Sequence, residues 1–394
     1  MTCFSLSHLI HALNGGALTS VELTERCLGR IAECCSEQFV YLDAVGAMDA
    51  ARASDQRRAE GVCLGPLDGI PFAAEDRFCT EKMPTENHCR ILCGYRPPYD
   101  ADVIGRLCGM GAILIGKLKT DGFLSGRVIK NEDRNGLVGE TGALPFALMV
   151  ETGGSLLNRG WDGAVAFAAG SVSRFGVISC APSFDRVGVL ASSFEDCAFL
   201  YDILAPVDEK NSVGEAKRAA RIAVWGECPS VDVADAVLSS VDAPDCATLM
   251  RAWRILSAVE TASEMGMYDG IRFGADGMKT MDAHTHSAAV RGRLFSGEEQ
   301  KLALLGTALL TEEYRRSCYF SARGVREAFV HDVRNIFDEF DVLICRLSKQ
   351  TAFLPGLADL AAVSANGLLW MAPRGRELTL LETLKQRSIE GSVS

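Results

Sequence analysis

The chain has 394 residues, 48% of them hydrophobic, and a formal net charge of −11. A chain this long and apolar buries a large core, and its acidic balance excludes a general polyanion-binding surface, so nucleic acid is expected only indirectly or through a local segment. No run reaches the roughly 18 to 20 apolar residues that cross a bilayer, and the start MTCFSLSHLIHALNGG lacks a charged region followed by a cleavage site, so no membrane contact and no secretory address are expected. Fifteen cysteines, an odd number set mostly among apolar neighbours, read as small buried hydrophobes in a reducing compartment.

Leu6, Leu9, Ile10 and Leu13 recur at helical spacing until Gly15 and Gly16 stop the run, and Thr19 to Leu23 open a second helix behind a Ser or Thr cap. An alanine-rich amphipathic helix runs from Ala47 to Arg58. The stretch 65–76, GPLDGIPFAAED, has the Gly and Pro punctuation of a loop entering a short buried strand. A helix, a Gly-rich turn and the strand Ala112 to Gly116 come next. Beyond Ser155 the pattern repeats through GAVAFAAG and SRFGVISCA to the amphipathic helix SSFEDCAFLYDIL. The strand RIAVWGEC opens a variable stretch through Asp245; the later half is helical, from LMRAWRILSAVETASEMG to EEYRRSCYFSARGVREAFVHDVRNIFDEF, before the buried strand DVLIC and a short end.

Helices alternating with buried strands predict an α/β protein whose sheet is covered on both faces. With no repeat and no low-complexity linker, one domain is expected over 1–394. It comprises N-terminal helices (1–60), a core carrying the candidate site (61–206), a variable segment (207–245) and a helical second half with its closing strand (246–394).

Two clusters invite a metal reading: His88 and Cys89 with Cys93 at helical spacing, and His284 with His286 in the alternation of a strand. Neither completes a ligand set, so no metal and no cofactor is assigned. The run ALMVETGGSLLNRG ends a hydrophobic stretch with two glycines and a serine. Glycines let the backbone pass close to a ligand or take positive φ, so Ser155 reads either as a nucleophile beside N–H groups aimed at an oxyanion or as a turn residue.

Thr19 to Ile31, the loop LDGIPFAAED, GYRPPYDADVIGRLCGMGAILIGKLKTDGF, ETGGS, SVSRFGVISCAPSFDRVGVLASSFEDCAFLYDILA and MYDGIRFG with LLGTALLTEEY after it form a series. Together they resemble the amidase signature family, most closely its glutamyl-tRNA(Gln) amidotransferase A-subunit branch. The resemblance implies the amidase signature fold, a central twisted mixed or parallel sheet flanked by helices on both faces, with the active site at loops along one edge. It also implies hydrolysis of a carboxamide such as glutamine, releasing ammonia for a partner subunit.

The family's machinery is a lysine, a serine in a cis peptide and a nucleophilic serine, the buried lysine taking the nucleophile's proton through the middle serine. Matched residue by residue, the nucleophile falls on Ser155, with Thr152, Gly153 and Gly154 in the oxyanion and substrate-binding positions. The lysine falls on Glu75 and, counting back from Ser155 without gaps, the middle serine falls on Asn131, where charged residues replace the family's Ser and Gly. A carboxylate near its reference pKa of about 4.3 accepts a serine proton poorly.

A shortened chain with a degenerate triad is therefore expected: a catalytically inactive structural or interaction subunit. Its host would be a larger, organellar translation-related or ribonucleoprotein assembly, in the mitochondrial matrix or else the cytosol. Other protein subunits are its expected partners. The alternative is an active glutamine amidase supplying ammonia for transamidation of Glu-tRNA(Gln), or a weak hydrolase using Glu75 through water.

Overall fold

The computed structural model describes residues 5–124, 136–139, 142–160, 163–206, 221–226, 237–273, 282–348, 351–365, 367–377, 379–381 and 383–384. Helix α1 (Leu6–Asn14) buries Leu6, Leu9 and Leu13. Helix α2 (Ser20–Cys34) begins in a capping box, the Thr19 hydroxyl accepting the Glu22 N–H at 3.1 Å and the Glu22 carboxylate accepting the Thr19 N–H at 3.0 Å. Two donors orphaned at the helix start are satisfied in this way. The remaining long helices are α3 (Ala44–Ala59), α4 (Asp102–Gly109), α5 (Phe194–Leu204), α6 (Cys246–Met265), α7 (Ala283–Leu294), α8 (Gly297–Ala308) and α9 (Ser321–Glu339).

Eleven strands build one mixed sheet: β1 (Phe39–Leu42), β2 (Pro71–Glu75), β3 (Ile113–Leu118), β4 (Phe146–Glu151), β5 (Val165–Ala169), β6 (Arg186–Ala191), β7 (Arg221–Trp225), β8 (Val237–Val241), β9 (Val342–Arg346), β10 (Leu360–Ala365) and β11 (Leu368–Pro373). Their order is β1-β3-β2-β4-β6-β5-β10-β11-β9-β7-β8. The pairs β2–β3, β2–β4, β7–β8 and β7–β9 are parallel and the others antiparallel.

Alternation along β9 to β11 shows why both faces are covered. Val342, Ile344, Val363 and Trp370 join the core under α1 to α5, while Leu343, Cys345, Ala362 and Met371 join a second core under α6 and α9. Successive side chains point to opposite faces, so a strand clad on both sides reads as an unbroken apolar run.

Several expectations shift. SRFGVISCA is no regular element; Val177 forms an isolated bridge with Phe78, just beyond the end of β2. The long helix expected over 312–340 is interrupted by a π-helical stretch, Arg315–Phe320. The end after β9 holds two further buried strands. Asp282 caps α7, accepting the Thr285 N–H at 2.8 Å, so His284 and His286 lie on a helix and not in the strand alternation that a metal reading would use.

Asp196 ties the first helix to the body of the fold, accepting the Leu6 N–H at 3.0 Å from its place in α5. Burial raises its carboxyl from an ordinary value of 3.8 to about 6. A carboxyl whose folded pKa lies above its unfolded value contributes stability below the unfolded pKa and loses it as pH rises through the folded one. Asp196→Asn should therefore gain on the parent across pH 4 to 6, by on the order of 2–3 kcal/mol in chemical unfolding. A constant difference between the two proteins across that window would refute this role.

Candidate active site

Strand β2 ends at Glu75, and its ladder with β4 ends one residue earlier, at the pair Ala74 and Leu148. Two residues further along β4, the Val150 N–H donates to Glu75 Oε2 at 2.8 Å and the Val150 carbonyl accepts from Ser155 Oγ at 2.8 Å. Buried backbone groups must be paired, and here two side chains replace the missing strand partner. Glu75 and Ser155 are thus brought to one residue and line one cavity of about 210 Å³, together with Glu37, His88, Lys119, Asp121 and Arg159. Ser155 keeps 8% of its surface exposed and Glu75 5%, so a small molecule in the cavity reaches both.

The turn between them is shaped by Glu151. Its buried carboxylate accepts the Gly154 N–H through one oxygen, and the Leu156 and Leu157 N–H groups, each at 2.8 Å, through the other. Burial pushes this carboxyl upward against the pull of those three donors. Gly154 has φ +99°, and a Cβ at Gly153 would lie 2.1 Å from the Trp253 ring. Glycine is required at one position by conformation and at the next by space.

Of the predicted oxyanion donors, the Gly154 N–H is engaged by Glu151 and the Thr152 N–H points at Ser155 Oγ, 3.4 Å away. The Gly153 and Ser155 N–H groups have no partner among the described residues. Thr152 also braces the turn, its hydroxyl donating to Asp185 at 2.6 Å and accepting from Arg77 at 3.0 Å. Arg77 and Asp185 form a buried ion pair at 2.9 Å. Burial alone would raise the Asp185 carboxyl, but the Arg77 guanidinium and the hydroxyls of Thr152 and Ser179 hold it below its ordinary value.

Lys117, next to the site in sequence, is not available to it. Its buried ammonium faces Asp76 at 3.2 Å, the Phe78 and Pro84 carbonyls at 2.8 and 3.2 Å, and the Thr85 hydroxyl at 2.9 Å, pinning the segment after β2 to β3. Glu75 is pushed upward by burial, opposed by Arg77, the Val150 N–H and Arg159. Asn131, predicted at the middle-serine position, lies outside the described residues. Lys119, Arg159 and His88 are not predicted as site residues from the sequence; the cavity gathers them from three separate segments, the end of β3, a short 3-10 turn after Ser155 and the loop after β2, which no local motif announces.

A family model for amidases matches residues 22–155 and 168–374, and the chain belongs to the amidase family. It is 33% identical to the glutamyl-tRNA(Gln) amidotransferase A-subunit of Chloroflexus aurantiacus, covering 87% of this chain and 81% of that protein. It is 29% identical to the corresponding A-subunit of Streptomyces coelicolor, covering 89% and 84%. The peptide amidase of Stenotrophomonas maltophilia superposes with a TM-score of 0.73 at 20% identity, over 98% of this chain and 96% of that one, a likeness of fold.

These relatives overturn the expectation of a catalytically inactive scaffold. They carry the names of amidotransferase subunits across most of the chain, and nothing in the described residues shows inactivity. The inactive reading counts each changed side chain as a loss. It takes no account of where the sheet places Glu75: on the wall of the cavity that Ser155 also lines, with its carboxyl raised by burial.

Because three N–H donors converge on Glu151, Glu151→Gln must set its own N–H₂ against at least one of them. The variant should lose about 1–3 kcal/mol in chemical unfolding, and an undiminished unfolding midpoint would count against this account of the turn.

Proposed function

We propose that the chain cleaves carboxamides by acyl transfer to Ser155 and acts as the ammonia-releasing component of an amidotransferase that modifies Glu-tRNA(Gln), alongside partner subunits. The observation that carries this reading is the convergence of Ser155 and Glu75 on Val150 at the wall of one cavity. The names of the relatives supply the substrate and the partnership.

At rest the Ser155 hydroxyl donates to the Val150 carbonyl. A serine attacks only when a base takes its proton. Glu75 holds the Val150 N–H through Oε2, which leaves Oε1 as the acceptor, directly or through one water. Burial raises the Glu75 carboxyl, so its carboxylate is a stronger base than an exposed one. As Oγ bonds to the amide carbon, the carbonyl oxygen becomes an oxyanion for the Gly153 and Ser155 N–H groups.

Ammonia release from glutamine and from simple amides tests the reading. Ser155→Ala should abolish turnover, and Glu75→Gln should lower kcat by roughly 10²- to 10⁴-fold while KM changes little. Turnover undiminished in Ser155→Ala would refute the assignment of the nucleophile.

A further inference from the structure

An amide nitrogen leaves readily only once protonated, and either the base returns the proton it took or a second group facing the cavity supplies one. His88 lines it with Ser155 and Glu75, is exposed, and has no hydrogen bond or ion pair for its ring among the described residues.

Its backbone is also set apart. Asn87 and His88 both have φ +49°. Non-glycine residues in the left-handed region are uncommon, and where surrounding structure enforces them they concentrate at functional sites. The enforcement is visible: the Asn87 N–H donates to the Asp76 carbonyl at 3.0 Å, the Cys89 N–H donates to the Glu86 carbonyl at 2.9 Å, and the Glu86 N–H donates to the Asp76 carboxylate at 3.1 Å. Asp76 follows Glu75 directly and is held by Lys117. The Lys117 cluster that fixes the end of β2 therefore also fixes the loop presenting His88.

On the reading of Ser155 as the nucleophile, we propose that His88 is the general acid of the site, delivering a proton to the departing amide nitrogen. Imidazole is suited to this because it can both give and take a proton near neutrality. In acylation the Ser155 Oγ–C bond forms as the hydroxyl proton passes to Glu75. The C–N bond then breaks as the nitrogen takes a proton from the His88 imidazolium, and ammonia leaves. In deacylation a water attacks the acyl carbon and gives its proton to neutral His88, while the Ser155 Oγ departs with the proton held by Glu75. Amide and water have become acid and ammonia, and both side chains have returned to their starting states.

A general acid is needed in proportion to how poor the leaving group is, and that gives the test. The full chain and its His88→Asn variant, which keeps a residue tolerant of left-handed backbone, are assayed on a simple amide and on the p-nitrophenyl ester of the same acyl group. The initial burst of p-nitrophenol, which reports acylation by a leaving group that needs no acid, should change in rate by less than about threefold, while amide turnover should fall by roughly 10²- to 10⁴-fold. A retained burst shows at once that the variant is folded and its nucleophile intact. An equal loss in the ester burst and in amide turnover, or full amide turnover in the variant, would overturn the role of His88. If instead the parent turns over neither substrate in a Ser155-dependent way, the reading of Ser155 falls and the His88 proposal with it, a result told apart by Ser155→Ala alone.

Discussion

Everything at the site follows from a strand that runs past its partner. Strand β4 continues beyond the end of the β2 ladder, so the Val150 N–H and carbonyl have no backbone to bond on that side. A buried peptide group left unpaired costs about 1–3 kcal/mol, and the fold answers with two side chains. Glu75 arrives from the end of β2 and Ser155 from the turn after β4. The same requirement that completes the sheet sets a carboxylate and a hydroxyl side by side. One pair of hydrogen bonds completes the sheet and holds both side chains on the wall of the cavity.

Around that pair the turn is built from within. Glu151 gathers N–H groups on the inner side, while Thr152, Arg77 and Asp185 brace the outer side through a buried ion pair and two hydroxyl bonds. Burying charge is costly unless it is paired and fully bonded, and both networks meet that condition. The result is preorganisation: the N–H groups of the turn are sorted into those already spent on Glu151 and those still free to meet charge developing on a substrate.

Much of this is legible in the sequence, and the exceptions have physical causes. The capped start of α2, the buried strand ending in Glu75 and the double glycine before Ser155 are local signals, written in consecutive residues. The hairpin β10–β11 also has its local signal, Asn366-Gly367 between two apolar runs, the dipeptide that favours a tight turn. Its strands escape notice because, clad on both faces, they show no alternation to mark them. The least legible feature is the company kept by Glu75. Its distance from Ser155 along the chain hides their meeting at Val150, and its type suggests the loss of a base. His88 reads in the sequence as an ordinary residue beside cysteines that complete no metal site, and nothing there shows the cavity it will face.

The hairpin has a consequence for how the sheet comes together. Strands β5 and β9 are joined only through β10 and β11, so without residues 360–373 the other nine strands form two separate pieces, one ending at β5 and the other at β9. Each would present an open edge, and open edges are templates for pairing with other chains. The central seam is thus closed by late-sequence strands over long chain separations, the kind of contact that forms slowly. Until it closes, the protein's greatest exposure to misassembly lies not at its rim but along the line that becomes its middle.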